Sequence, residues 1–339
     1  MKNKNNFLEK PDQSFIDLLI KSNSNNKAEA YIAMEQIAKA IELPLRKGML
    51  VGDITNGIFT KMTFEPGSST EFPLDLLAPG EEIDFVAYTN PGHGRIPERA
   101  VEGDYVSVPT YMIANAIDWL LRYAREARWD IVARATSVLE AGFVKKINDD
   151  AWHTLLSAGV DRNILVYDAD AAAGQFTKRL VSIMKSVMRR NAGGNSASLN
   201  RGKLTNMFLS PEALEDIRNW GVDQVDDTTR REIHLSSDDG SITRLFGVNL
   251  EALDELGENQ EYQRYFTGTL GGSLGPSSDV ELVIGLDLST NDSFVMPVKQ
   301  EVTLYVDEMM HRQGRAGLYG TAELGLAVLD NRRVLVGSC

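Results

Sequence analysis

Gly271-Gly272-Ser273-Leu274-Gly275 has the Gly-x-Ser-x-Gly spacing of a nucleophile elbow, and Asp287 and His311 follow in the order acid then base. Such an elbow works only where a strand enters the turn and a helix leaves it, because that geometry lifts the serine hydroxyl above the sheet. Here Pro276-Ser277-Ser278-Asp279 and a strand-like segment follow, so a flexible Gly/Ser loop is the better reading. Asp149 and His153 stand four apart at a spacing that can share a metal, but two ligands do not complete a site. Residues 194–203 have Ala197 where a phosphate loop needs its first glycine, and they run from helix to strand, the reverse of the required order. Asp226-Asp227 and Asp238-Asp239 lack the alternating oxygen ligands of a calcium loop, and Gly92-His93-Gly94 is a lone histidine. No catalytic, cofactor or metal site emerges, and the chain is not expected to be an enzyme.

The elements that would position any site are unusual. Residues 52–109 hold six of the eleven prolines and seven glycines, which excludes a continuous helix. Ile58–Phe64 and Ile83–Thr89 read as strands joined by a turn-rich link, forming a long hairpin arm. A two-stranded ribbon is marginal in water, so the arm is expected to lie on something else, with a neighbouring subunit the natural candidate. Ser107-Val108-Pro109-Thr110 then reads as a helix start. Thr110 to Ala141 contain neither Gly nor Pro, and Ile113, Ile117, Leu120, Ala124, Ile131, Ala135 and Val138 form one apolar stripe. At about 1.5 Å per residue that helix would span roughly 48 Å, continuing with a kink past Gly142 to Ser157.

Elsewhere the pattern gives two short N-terminal helices separated by Ser22-Asn23-Ser24-Asn25-Asn26, a helix over Phe176–Arg190 and a buried strand over Leu204–Leu209. Ser210-Pro211-Glu212 is a helix start with a hydroxyl cap, a first-turn proline and an acid at the positive end of the dipole. A hairpin is expected at Asp239-Gly240, and strands over 280–286, 293–298, 302–306, 321–329 and 333–336. The class is α+β.

The chain has 339 residues and a net charge of −13. Residues 211–262 carry fourteen acidic and four basic side chains, whereas residues 174–203 carry seven basic and no acidic ones. That contrast suits complementary faces within or between subunits, or a basic stripe for nucleic acid. The overall acidity opposes tight nonspecific DNA binding. Cys339 is the lone cysteine, so neither a disulfide framework nor a cysteine metal site is available. No run approaches the roughly 18 apolar residues of a membrane span, and the polar start, Met1-Lys2-Asn3-Lys4-Asn5-Asn6, leads to the expectation of a cytosolic product without membrane association.

Ile96-Pro97-Glu98-Arg99, Glu102-Gly103-Asp104, Val108-Pro109-Thr110, Ile113-Ala114-Asn115 and Ile117-Asp118-Trp119-Leu120 together resemble major capsid proteins of tailed bacteriophages of the Hong Kong 97 type. Asn148 to His153, Leu209 to Leu214, Leu245-Phe246-Gly247-Val248 and Ala327 to Arg333 are similar strings, so the resemblance runs from about residue 50 onward. It implies an N-terminal arm (1–50), an extended β-hairpin loop overlapping a neighbour (51–108), a peripheral domain with a long spine helix (109–204), an axial domain (205–292) and return strands (293–339). It further implies hexamers and pentamers of the chain closing an icosahedral virion shell around double-stranded DNA held without sequence-specific contacts. Assembly is expected in the host cytoplasm, with a separate scaffolding protein or none, with a portal and a decoration protein as further partners, and with no cofactor. In some relatives a lysine and an asparagine of neighbouring subunits join covalently; Lys61 falls in the loop, but no asparagine is placed to receive it. An encapsulin-like compartment shell, a minor structural protein of the virion and a hydrolase using Ser273 are the alternatives. Removing residues 57–88 is expected to leave a folded subunit that fails to close shells.

Overall fold

The computed structural model describes residues 13–22, 24, 26–52, 57–74, 104–120, 122–123, 126, 129–191, 202–220, 244–275, 280–290, 292–307 and 314–339. In chain order the elements are α1 (Gln13–Lys21), α2 (Lys27–Gly52), β1 (Thr60–Thr63), β2 (Glu71–Leu74), β3 (Asp104–Ser107), β4 (Tyr111–Leu120) and α3 (Trp129–Asp161). There follow β5 (Leu165–Tyr167), α4 (Lys178–Asn191), β6 (Asn206–Leu209), α5 (Pro211–Asn219), β7 (Arg244–Leu245), β8 (Val248–Ala252) and α6 (Glu261–Arg264), which runs into a π turn (Tyr265–Thr269). Five strands complete the chain: β9 (Leu282–Leu286), β10 (Phe294–Asp307), β11 (Arg315–Leu324), β12 (Ala327–Val328) and β13 (Val334–Ser338). They divide into two compact units, one of residues 1–71, 107–151 and 295–326, the other of 72–106, 152–294 and 327–339.

In the first unit the strand order is β1-β10-β11-β4. The expected helix from Thr110 is not there: residues 111–120 are strand β4, in a ten-residue antiparallel ladder from Tyr111↔Leu324 to Leu120↔Arg315. The apolar spacing that suggested a helix fits a strand as well, because Ile113, Ile117 and Trp119 are all odd-numbered. Ile113 and Trp119 are buried while Met112, Ala114, Ala116 and Asp118 face out, the alternation of a half-buried strand. Thr110 does not cap a helix; its hydroxyl donates to Glu323 at 2.8 Å. The long helix, α3, begins at Trp129 and runs 33 residues, through Gly142 and Gly159. Its Leu139, Phe143 and Ile147 are buried. A Cβ at Gly320 would come within 3.0 Å of the Phe143 ring, so glycine on β11 is what lets that ring seat on the sheet.

Ile58–Phe64 does not supply a strand of the arm. Its core, β1, pairs in parallel with β10 from Thr60↔Val295 to Thr63↔Val298. The segments 293–298 and 302–306 are one strand, β10, whose register against β11 shifts between Val298 and Thr303 and so reads as a break in the pattern. Of the two N-terminal helices, the second is 26 residues long rather than short.

The second unit is built on a six-stranded sheet, β5-β13-β9-β6-β8-β7. Met184 and Met188 of α4, Met207 and Leu209 of β6, Val283 of β9 and Leu335 of β13 meet in one core. Trp152 sets its edge against Phe208 with ring centroids 4.7 Å apart. Helix α5 starts as its sequence requires, the Ser210 hydroxyl accepting from the Ala213 N–H at 3.0 Å. The hairpin expected at Asp239-Gly240 lies outside the described residues. The one joining β7 to β8 turns at Phe246-Gly247, whose φ angles of 49° and 78° make the primed turn that matches strand twist.

Candidate assembly surfaces

Ser273 is exposed on a loop entered from the π turn of α6 and leading toward β9, so the order is helix, turn, strand, opposite to an elbow. Gly272 packs on the Phe266 ring and the Gly275 N–H donates to the Ser338 hydroxyl at 3.1 Å, which gives the glycines a packing role. Asp287, the acid of that motif, is 0% exposed and holds Arg333. His311 lies outside the described residues, as do Gly92 to Gly94, residues 194–201, Asp226-Asp227 and Asp238-Asp239. His153 stacks on Tyr265 with centroids 3.8 Å apart, and Asp149 pairs with Lys145 at 3.2 Å. Among the described residues no three His, Cys, Asp or Glu side chains group to hold a metal, and no helix is long and apolar enough to cross a membrane.

What the sequence left unplaced is surface. Strands β2 and β3 form a two-stranded ribbon that brackets residues 75–103. Its base is tied where the Val108 N–H donates to the Thr70 carbonyl at 2.9 Å and the Thr70 hydroxyl returns a bond to the Val108 carbonyl. Phe72 is buried, but Tyr105 is 69% exposed beside the exposed Val106. Among the described residues the ribbon thus buries Phe72 and leaves Tyr105 and Val106 as exposed apolar surface.

The first unit's sheet offers a second such face. Tyr305 and Tyr319, directly paired across β10 and β11, stack at 5.3 Å, and both are exposed. Met112, 69% exposed, and Ala114 and Ala116 continue the face on β4. Ion pairs frame it, Arg315 with Asp118 at 2.8 Å and Lys61 with Glu301 at 3.3 Å. Lys61 therefore belongs to β1 of the sheet and not to a free loop.

No protein-family model and no curated protein matches this sequence. Solved structures do match the fold. One from Microbacterium phage Oxtober96 has a TM-score of 0.56 at 10% identity, over 85% of this chain and 90% of that one. The head structure of Helicobacter pylori bacteriophage KHP40 has a TM-score of 0.54 at 10% identity, over 85% and 90% of the two chains. The Cyanophage Pam1 capsid asymmetric unit has a TM-score of 0.53 at 12% identity, over 83% and 88%. The fold is a phage capsid fold.

Within the second unit, charge is sorted by element. The cations of residues 174–203 lie largely on α4, whose other side is the buried stripe Leu180, Val181, Met184 and Met188. The acids gather around α5: Glu281 receives the Ser210 hydroxyl, and burial followed by the charges of Glu212, Asp216 and Glu258 pushes its carboxyl above the ordinary range. A buried ionic cluster holds the sheet ends together. Arg333 reaches Asp287 and lies 3.5 Å from Asp330, while Arg332 donates to Asp330 at 2.8 Å. Sequence reasoning noticed the string around Arg333 as a resemblance and Asp287 as a motif acid; nothing in their spacing pairs residues 46 positions apart.

Proposed function

We propose that this chain is the major capsid protein of a tailed bacteriophage of the Hong Kong 97 type, assembling as hexamers and pentamers into an icosahedral shell that encloses double-stranded DNA. The observation that carries the proposal is that the similarity to the KHP40 head structure spans 85% of this chain and 90% of that one, so it extends over both units and not one alone. The β2–β3 ribbon and the stacked tyrosine face support it, since both leave apolar surface whose natural cover is another copy. In this reading residues 1–50 are the arm, the extended loop is confined to the part of 51–108 that follows β1, and 205–292 is the axial domain. Scaffolding, portal and decoration proteins are the expected partners. Each contact needs only a standard interface of roughly 1,600 Å², because a closed shell multiplies weak contacts.

Electron microscopy of the expressed full-length chain tests the reading, with closed particles or capsomers expected. Deleting 57–88 is the wrong cut, since it removes β1 from the edge of the sheet. Replacing residues 75–103 by a short turn spares every strand pairing among the described residues and is expected to leave a folded subunit without shells. Normal closed particles from that variant would remove the extended loop from the proposal. Particles from the native source that carry an enzyme instead of DNA would make the chain a compartment shell.

A further inference from the structure

The outward side of α4 is a groove with a definite chemistry. Arg179, Ser182, Ile183, Ser186, Val187 and Arg190 recur at threes and fours along one face and line an open concavity of about 390 Å³. Its floor is Ile183 and Val187, half-buried against the core beneath, and its rim is hydroxyl and guanidinium. Arg179 is already paired with Asp168 and Asp170, and Lys185 donates to the Phe246 carbonyl at 2.7 Å. Arg189 and Arg190 are exposed and make no ion pair among the described residues. Both lie in the last turn of α4, where they suit the negative end of its dipole, and among the described residues no carboxylate neutralises them.

The opposite character occurs around α5. Glu212, Asp216 and Glu258 crowd Glu281, and the neighbouring donor there is the Ser210 hydroxyl, not a cation. Glu212 and Glu258 are exposed and have no ion pair among the described residues. Like charges gathered this closely repel, and a cation from outside would relieve them.

We propose that the α4 groove of one copy receives the acidic cap around Glu212 and Glu258 of a second copy, head to tail. Two different patches can meet twice across a two-fold or head to tail around an axis; the capsid reading selects the second arrangement, which repeats until a ring closes. Charge complementarity selects the acidic cap, and the Ile183–Val187 floor favours a protein surface over a phosphate backbone, which would leave it unused. The inference rests on the capsid reading and specifies one of its subunit contacts.

Charge exchange in the full chain tests it, read by size-exclusion chromatography with light scattering and by electron microscopy. Arg189→Glu with Arg190→Glu, and separately Glu212→Lys with Glu258→Lys, are expected to stay folded by circular dichroism and to lose at least about tenfold of the ring or shell population. The chain carrying all four substitutions is expected to regain assembly, because each surface again meets its opposite. The milder Arg189→Gln with Arg190→Gln adds no repulsion, and its residual assembly should depend less on salt than that of the unaltered chain. Normal assembly of either two-residue variant, or no rescue in the fourfold one, overturns the contact. Normal shells that lose only their DNA in the arginine variant also overturn it, in favour of nucleic acid as the occupant of the groove. If the unaltered chain forms neither rings nor shells, the capsid reading itself fails and this inference falls with it.

Discussion

Arg333 donates through Nη1 to the Asp287 carboxylate, with the two residues 4% and 0% exposed. The same carboxylate accepts from the Lys203 N–H at 2.8 Å and the Ser289 N–H at 3.0 Å, so one group joins the start of β6, the end of β9 and the start of β13. Asp287→Ala leaves a buried guanidinium and two amides without their acceptor and is expected to cost about 3–5 kcal/mol. The paired change Asp287→Leu with Arg333→Met removes both charges and should cost less than either change alone. Urea unfolding of Asp287→Ala, the singles Asp287→Leu and Arg333→Met, and the double variant checks this; a double variant less stable than both singles would refute it.

Two glycines of the first unit are expected to respond oppositely to alanine. At Gly325 a Cβ would lie 2.6 Å from the Pro109 carbonyl oxygen, which is backbone and cannot swing away, so Gly325→Ala should lose about 1–3 kcal/mol. At Gly142, inside α3, the Cβ would meet only the Asn115 amide, the end of a side chain whose bond to the Leu139 carbonyl is long at 3.4 Å. That amide rotates, the helix gains propensity, and Gly142→Ala should be neutral or stabilising by up to about 1 kcal/mol. Thermal melts of the two variants separate the cases.

Glu281 predicts a pH dependence. Its folded carboxyl is raised above the ordinary 4.5, first by burial and then by Glu212, Asp216 and Glu258, while the Ser210 hydroxyl pulls the other way. The folded state therefore holds this proton more tightly than the unfolded chain, and this group's contribution to stability falls as pH rises from 4.5 toward the folded value. Glu281→Gln should flatten stability over that window and stabilise the subunit at neutral pH. A pH series of denaturant midpoints reads the difference, and an unchanged slope would contradict the assignment.

Cys339 should be chemically silent in the native subunit. Burial, with help from Glu281 and Asp216, pushes its thiol from 9.0 up to about 12. The thiolate is the nucleophile, so at pH 8 roughly a thousandfold less of it is present than in the unfolded chain. Labelling by a thiol reagent is expected to proceed only at the rate of opening and to become fast in denaturant. Rapid stoichiometric labelling of the folded protein would show the site to be open.

Features whose causes are local are legible along the chain. Ser210-Pro211-Glu212 starts α5 because cap, proline and acid act within one turn, and α4 keeps nearly the expected bounds because its buried apolar stripe is strong and its outer side is mostly polar. The proline and glycine density of residues 52–109 likewise argues against a continuous helix, and the described parts, 57–74 and 104–109, hold strands β1 to β3. Tertiary structure settled what depends on a distant partner. Ile113, Ile117 and Trp119 satisfy both a helical and a strand period, and it is the ten-residue ladder with β11, two hundred positions later, that makes them a strand. Asp287 belongs to Arg333 and not to Ser273 because β9 and β13 run side by side, and the outward tyrosines become one face only when Tyr305 and Tyr319 meet across strands. Backbone pairing and burial act between residues that the linear order keeps apart, so no local pattern carries them.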